Sequence, residues 1–174
     1  MSYSLPQTRF NINKYNNTLS FKINEDISNI NINPGKYTID EIIIILNNKL
    51  SNIKISINNE QNIVIESENN FNIIETVMSK DVFGFISECS NNNKYTSDKL
   101  WDLRINDKVY LYLNNLSDNP LGVLYFNGQS DIQFKFQEPF DLDYLDITFK
   151  DVKGREHDFN NLPHSLSFLI EQIN

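Results

Sequence analysis

Ile132-Gln133-Phe134-Lys135-Phe136-Gln137, Leu145-Asp146-Ile147-Thr148-Phe149-Lys150 and Ser165-Leu166-Ser167-Phe168 continuing to Ile170-Glu171 fall within one block, Asp131 to Ile173. Each run alternates apolar and polar side chains. Successive strand residues point to opposite faces, so alternation marks a strand with one buried and one wet face. Asn127-Gly128 stands between Val123–Phe126 and the first run, and Asn-Gly between apolar runs is the strongest short hairpin signal. Asp151-Val152-Lys153-Gly154 supplies a turn after the second run. The block reads as antiparallel β-sheet and holds no constellation that resembles a reaction centre.

Working toward the N-terminus, Phe10 and Ile12 form a short run, and Leu19, Phe21 and Ile23 another, with Asn16-Asn17 as the turn between them. Ile27, Ile30 and Ile32 follow, and Asn33-Pro34-Gly35 stops the strand. Thr38 and Glu41 then fit a capping box, in which each side chain satisfies the other residue's free backbone N–H. Ile39, Ile43, Leu46 and Leu50 recur at helical spacing, widened by Ile42 and Ile45, which predicts a helix over 39–50. Strands are expected at Ile53–Ile57, at Ile63–Ile65 and near Phe71–Val77. Residues 86–106 carry Asn91-Asn92-Asn93 and Trp101, break the rhythm, and read as a long loop. Val109, Leu111 and Leu113 face one way and Tyr110 and Tyr112 the other, so this strand is expected to be central or to have its outer face covered. The sum is an all-β sandwich in one domain, 1–174, of 174 residues.

Composition narrows the function classes. Asn and Ile dominate and alanine is absent, which an A/T-rich genome explains without a structural demand. A net charge of −8 with no basic run gives no electrostatic reason to coat nucleic acid. Cys89 is the one cysteine, so no intrachain disulfide is expected. The start Met1-Ser2-Tyr3-Ser4-Leu5-Pro6 does not read as a signal peptide, and Ile42–Leu46 is too short to span a bilayer. His157 and His164 fit no zinc-ligand spacing; His157 reads as solvated beyond the Lys153-Gly154 turn, and His164 as packing at the start of the last strand. Ser165 beside His164 is no catalytic pair, because strand neighbours point apart, and the Gly residues are isolated rather than cradling phosphate. Neither an enzyme nor a cofactor or metal protein is expected. An exposed aromatic platform for glycans has one hint, Trp101 with Tyr95.

Asn33-Pro34-Gly35-Lys36-Tyr37-Thr38 entering a helix resembles a segment of small viral jelly-roll capsid proteins, and Phe83-Gly84-Phe85 resembles the Leu-Gly-Phe element that follows it there. Phe140-Asp141-Leu142-Asp143-Tyr144-Leu145-Asp146-Ile147-Thr148-Phe149, then Asp151, Gly154, Asp158-Phe159 and His164-Ser165-Leu166, is similar to the close of penton and minor capsid proteins of large double-stranded DNA viruses and virophages. That resemblance implies a single jelly roll of two four-stranded sheets. It implies a virion structural protein made in the host cytoplasm, a homopentameric penton contacting a major capsid protein, or alternatively a minor capsid protein bridging capsomers. Tyr110, Tyr112 and Trp101 are the candidate subunit-contact residues, and Pro34, Gly35, Gly128 and Gly154 the structural turns.

Overall fold

The computed structural model describes residues 2–6, 9–104, 108–126 and 143–169; the Ile132–Phe136 run, the Asn127-Gly128 turn and Ile170 lie outside the described residues. The chain is predominantly β, and every strand pair among the described residues is antiparallel. Contacts gather into two compact units, 10–104 and 1–9 with 105–174.

The 10–104 unit contains β2 (Thr18–Ile23), β3 (Asp26–Asn31), α1 (Ile39–Lys49), β4 (Ile53–Ile57), β5 (Ile63–Ile74) and β6 (Cys89–Thr96), with β1 (Ser2–Ser4) preceding them in the other unit. The sheet order is β3-β2-β5-β4, with β6 also on β5. The two expected runs at 63–65 and 71–77 are in fact one strand. Register slips between Glu66 and Phe71, so the polar stretch 67–70 bulges out. This bulge divides the work of β5: Ile63–Ser67 pair with β4, and Asn72–Ile74 pair with β2. An extra-residue bulge bends a strand in just this way.

Loop 86–106 departs from expectation, because Cys89–Thr96 is strand β6. Its side chains are almost all exposed, so it pairs by backbone and shows no hydrophobic period. Phe10–Ile12 is no strand; Ile12 makes a single bridge to Gly35. Val82 closes a π-helical turn, Met78–Val82.

The helix forms as its caps dictate. The Thr38 side chain accepts from the Glu41 N–H at 3.3 Å and the Glu41 carboxylate accepts from the Thr38 N–H at 2.7 Å. Ile39, Ile42 and Leu46 make the buried stripe, while Ile44 is 59% exposed. They pack into a core with Leu19, Phe21, Ile55, Ile65, Phe71 and Phe83.

Asparagine side chains repeatedly stand in for peptide groups. Asn47 Nδ2 donates to the Ile55 carbonyl and its Oδ1 accepts from the Ile55 N–H, both at 2.8 Å, which satisfies β4 where the sheet order ends. Asn11 does the same for Tyr37 at 2.6 and 2.9 Å. In the second unit Asn115 donates to Tyr144 O and accepts from Asp146 N–H. The composition reading therefore accounts for the supply of Asn but not for its use.

The 1–9 and 105–174 unit holds β7 (Lys108–Leu113), β8 (Gly122–Tyr125), β9 (Ile147–Lys150) and β10 (Ser165–Ser167). β7 is central in the order β8-β7-β9, and β1 pairs with β10. Leu5, Val109, Leu111, Leu124, Phe126 and Phe159 form its core, with Phe149, Leu166 and Phe168 packed against it. Ile147 departs from the alternation reading: it is 36% exposed. Among the described residues no helix is long and apolar enough to cross a membrane.

Candidate contact surface

Alternation along β7 sorts its residues cleanly. Val109, Leu111 and Leu113 are buried, and Lys108, Tyr110 and Tyr112 take the other, half-buried face. Pairing then recruits that face's neighbours. Tyr110 lies opposite both Val123 of β8 and Lys150 of β9, Tyr112 opposite Thr148, and Lys108 opposite Tyr125. Residues directly opposite in a sheet share a face. The result is an aromatic surface with two cations laid on it: Lys150 Nζ sits 4.4 Å from the Tyr112 ring centre and Lys108 Nζ 5.9 Å from that of Tyr110. Ammonium groups within about 6 Å of a ring are attracted by its quadrupole. Tyr125 is 46% exposed. Its N–H donates to the Tyr3 hydroxyl at 3.1 Å, and that hydroxyl donates to the Tyr125 carbonyl at 3.3 Å.

Trp101 is placed differently. It packs, half-buried, against the core of the 10–104 unit. Its indole N–H is buried with no hydrogen-bond partner among the described residues. Tyr95 packs against the same core, with its hydroxyl donating to Phe71 O at 2.6 Å. The two therefore form no exposed stacking platform, whereas Tyr110, Tyr112 and Tyr125 share one sheet face. The notable depression elsewhere is a polar groove of about 600 Å³ in the same unit, lined by Ser51, Lys54, Glu66, Ser67, Glu68 and Lys94 among others.

Charged and titratable groups cluster below β9. The Asp151 carboxylate accepts from the N–H groups of Lys153 at 2.8 Å and Arg155 at 3.0 Å and from Arg155 Nε at 2.8 Å. Burial alone pushes this carboxyl up; the Arg155 N–H and guanidinium and the Lys153 N–H outweigh it and hold Asp151 below the ordinary 3.8. Gly154 closes the turn with φ +77°, in open space. Asp151→Asn keeps the N–H acceptor and loses the ion pair, so a loss of about 2 kcal/mol is expected, read as a lower urea midpoint at unchanged slope. The aspartate contribution is present above pH 3.8 and is lost as pH falls through its lowered folded value.

His157 is half-buried rather than fully solvated. It packs at 4.7 Å from the Phe159 ring and 5.5 Å from that of Phe126. His164 stacks on Phe159 at 4.1 Å, and its Nδ1 lies 3.2 Å from Leu162 O. Among the described residues no three His, Cys, Asp or Glu side chains gather as a metal site.

No protein-family model matches the chain, and no solved structure matches it. It is similar to "Uncharacterized protein L356" of Acanthamoeba polyphaga mimivirus, 27% identical over 170 residues. The match takes in 92% of this chain and 27% of the relative, so the chain spans about a quarter of that protein's length. The similarity points to a viral origin.

Proposed function

We propose that this protein is a structural subunit of a viral capsid: a single jelly roll that closes icosahedral vertices as a homopentameric penton against a major capsid protein. The observation that carries the reading is the Tyr110, Tyr112 and Tyr125 face, with Lys108 and Lys150 laid over it. Tyrosine is among the residue types that anchor protein interfaces. The antiparallel pairing throughout and the similarity to a mimivirus protein support the class. A ring of five needs a heterologous contact, one patch meeting a different patch on the next subunit, and this face would be one of the two.

The test has two arms. Mass spectrometry of purified particles from the source virus should find the chain; its absence from particles sinks the capsid reading. Sedimentation of the concentrated protein should show a pentamer. The double substitution Tyr110→Ser/Tyr112→Ser should weaken assembly about 30-fold or more while leaving the far-ultraviolet spectrum intact. Presence in particles without pentamers would favour the alternative, a minor capsid protein bridging capsomers.

A further inference from the structure

The return path from β9 to β10 is held down by rings, two of which can take a proton. His157 contacts Phe126 and Phe159, His164 lies flat on Phe159 with an interplanar angle of 22°, and Phe149 meets Phe159 edge-on at 5.0 Å. Among the described residues the main chain contributes His157 N–H donating to Phe149 O at 2.7 Å, Leu162 N–H donating to Phe159 O at 2.9 Å, and an isolated bridge between Lys150 and Glu156. Immediately beyond His164, the three residues of β10 pair with β1. The chain between turn and strand is therefore also fastened by an aromatic cluster centred on Phe159.

We infer that the His157–Phe159–His164 stack is an acid-sensitive latch, closed at neutral pH and opening residues 156–167 as the medium falls toward about pH 5. Independently of the capsid reading, it rests on what a proton would meet at His157. Its ring packs on those of Phe126 and Phe159, which offer a second N–H no acceptor. His164 adds like charge when protonated, and that charge acts on the His157 ring. Attraction comes from Asp151 and Asp158. The Asp151 carboxylate, however, is already engaged by Arg155 at 2.7 Å and by N–H groups of Lys153 and Arg155. Asp158 Oδ1 accepts from Asn160 N–H at 2.7 Å. Glu156 is next in the chain and exposed, with its backbone bridged to Lys150.

The direction agrees. Burial pushes His157 below the ordinary 6.5; the two aspartates pull it up, and His164 pushes it down again. A lowered folded value means the opened chain binds the proton better, so the latch is intact above pH 6.5 and weakens as pH falls through the folded value. The lowered carboxylates, Asp151 among them, act in a separate window below 3.8 for aspartate.

Hydrogen exchange of the full chain, corrected for the intrinsic pH dependence, tests this. Opening of 156–167 should rise several-fold from pH 7.5 to 5.5, with about tenfold as the ceiling for one histidine, while β7 amides hold their protection. His157→Phe, which keeps a ring and cannot charge, should reduce that rise to less than about twofold. Should that variant not fold, the wild-type imidazole titration followed by NMR decides: His157 should titrate below 6.5. Equal opening at both pH values, an unchanged rise in His157→Phe, or a His157 titration at or above 6.5 overturns the latch.

Discussion

Phe71→Ala is expected to lower the free energy of unfolding by about 3–5 kcal/mol, the largest loss of any single side chain considered. Phe71 is 1% exposed and stands just past the β5 bulge. Its ring meets Phe21 at 6.0 Å and Tyr95 at 5.0 Å, both edge-to-face. The backbone around it cannot settle into the space left behind. Tyr95 Oη donates to the Phe71 carbonyl at 2.6 Å and accepts from Asn92 N–H at 2.8 Å, which ties β5 and β6 together at this point. A cavity that cannot collapse costs the most. Urea unfolding measures it, with Phe71→Leu as the control that should lose about 1 kcal/mol. An alanine variant losing no more than the leucine control would show that the site relaxes and that the bulge is not held by this ring.

Gly84→Ala should cost about 3 kcal/mol, or about 6–12 °C in Tm. Gly84 has φ +83°, and a Cβ there would stand 2.4 Å from the Lys99 carbonyl oxygen. That oxygen belongs to backbone that is pinned. The N–H groups of Asp98 and Lys99 both donate to Gly84 O at 3.1 Å. The Asp98 carboxylate accepts from Ile86 N–H at 2.6 Å and Ser87 N–H at 2.8 Å. Ser87 first, then Ile86, hold that carboxyl below its ordinary value. Gly154→Ala separates strain from collision. Gly154 also has a positive φ, +77°, but an added methyl meets nothing within 4 Å, so a loss of about 1 kcal/mol is expected. Equal losses at the two glycines would mean that backbone strain, not the Lys99 contact, sets the cost.

The elements that sequence reading finds are those whose signal is local. The 39–49 helix is announced by Thr38 and Glu41 three residues apart and by its apolar stripe, and the strand at Lys108–Leu113 by strict alternation. β6 is hidden because Ser90-Asn91-Asn92-Asn93-Lys94 buries nothing; its partner supplies the backbone ladder, and no side-chain period is required. β5 reads as two strands because its bulge is polar, Glu68-Asn69-Asn70 being exposed. The candidate surface is legible in part. Tyr110 and Tyr112 stand out because both faces of β7 are apolar, but Lys150 and Tyr3 reach that face through pairings distant in the chain, 122 residues for Tyr3 and Tyr125, which no local pattern encodes. The placement of Trp101 is not local either: Val82 O accepts from Asp102 N–H at 2.8 Å and draws this stretch onto the core of the 10–104 unit.

The amides of Asn11, Asn47 and Asn115 tie parts of the fold to a group that hydrolysis can alter. Each works because one end of the group donates while the other accepts. Asparagine is among the thermolabile residues, and hydrolysis of its amide leaves a carboxylate, which accepts and cannot donate. At Asn47 that single reaction would set negative charge against the Ile55 carbonyl and uncover the last strand of the sheet. The record of that reaction would be an amide NH2 released as ammonium and exchanged for a carboxylate oxygen.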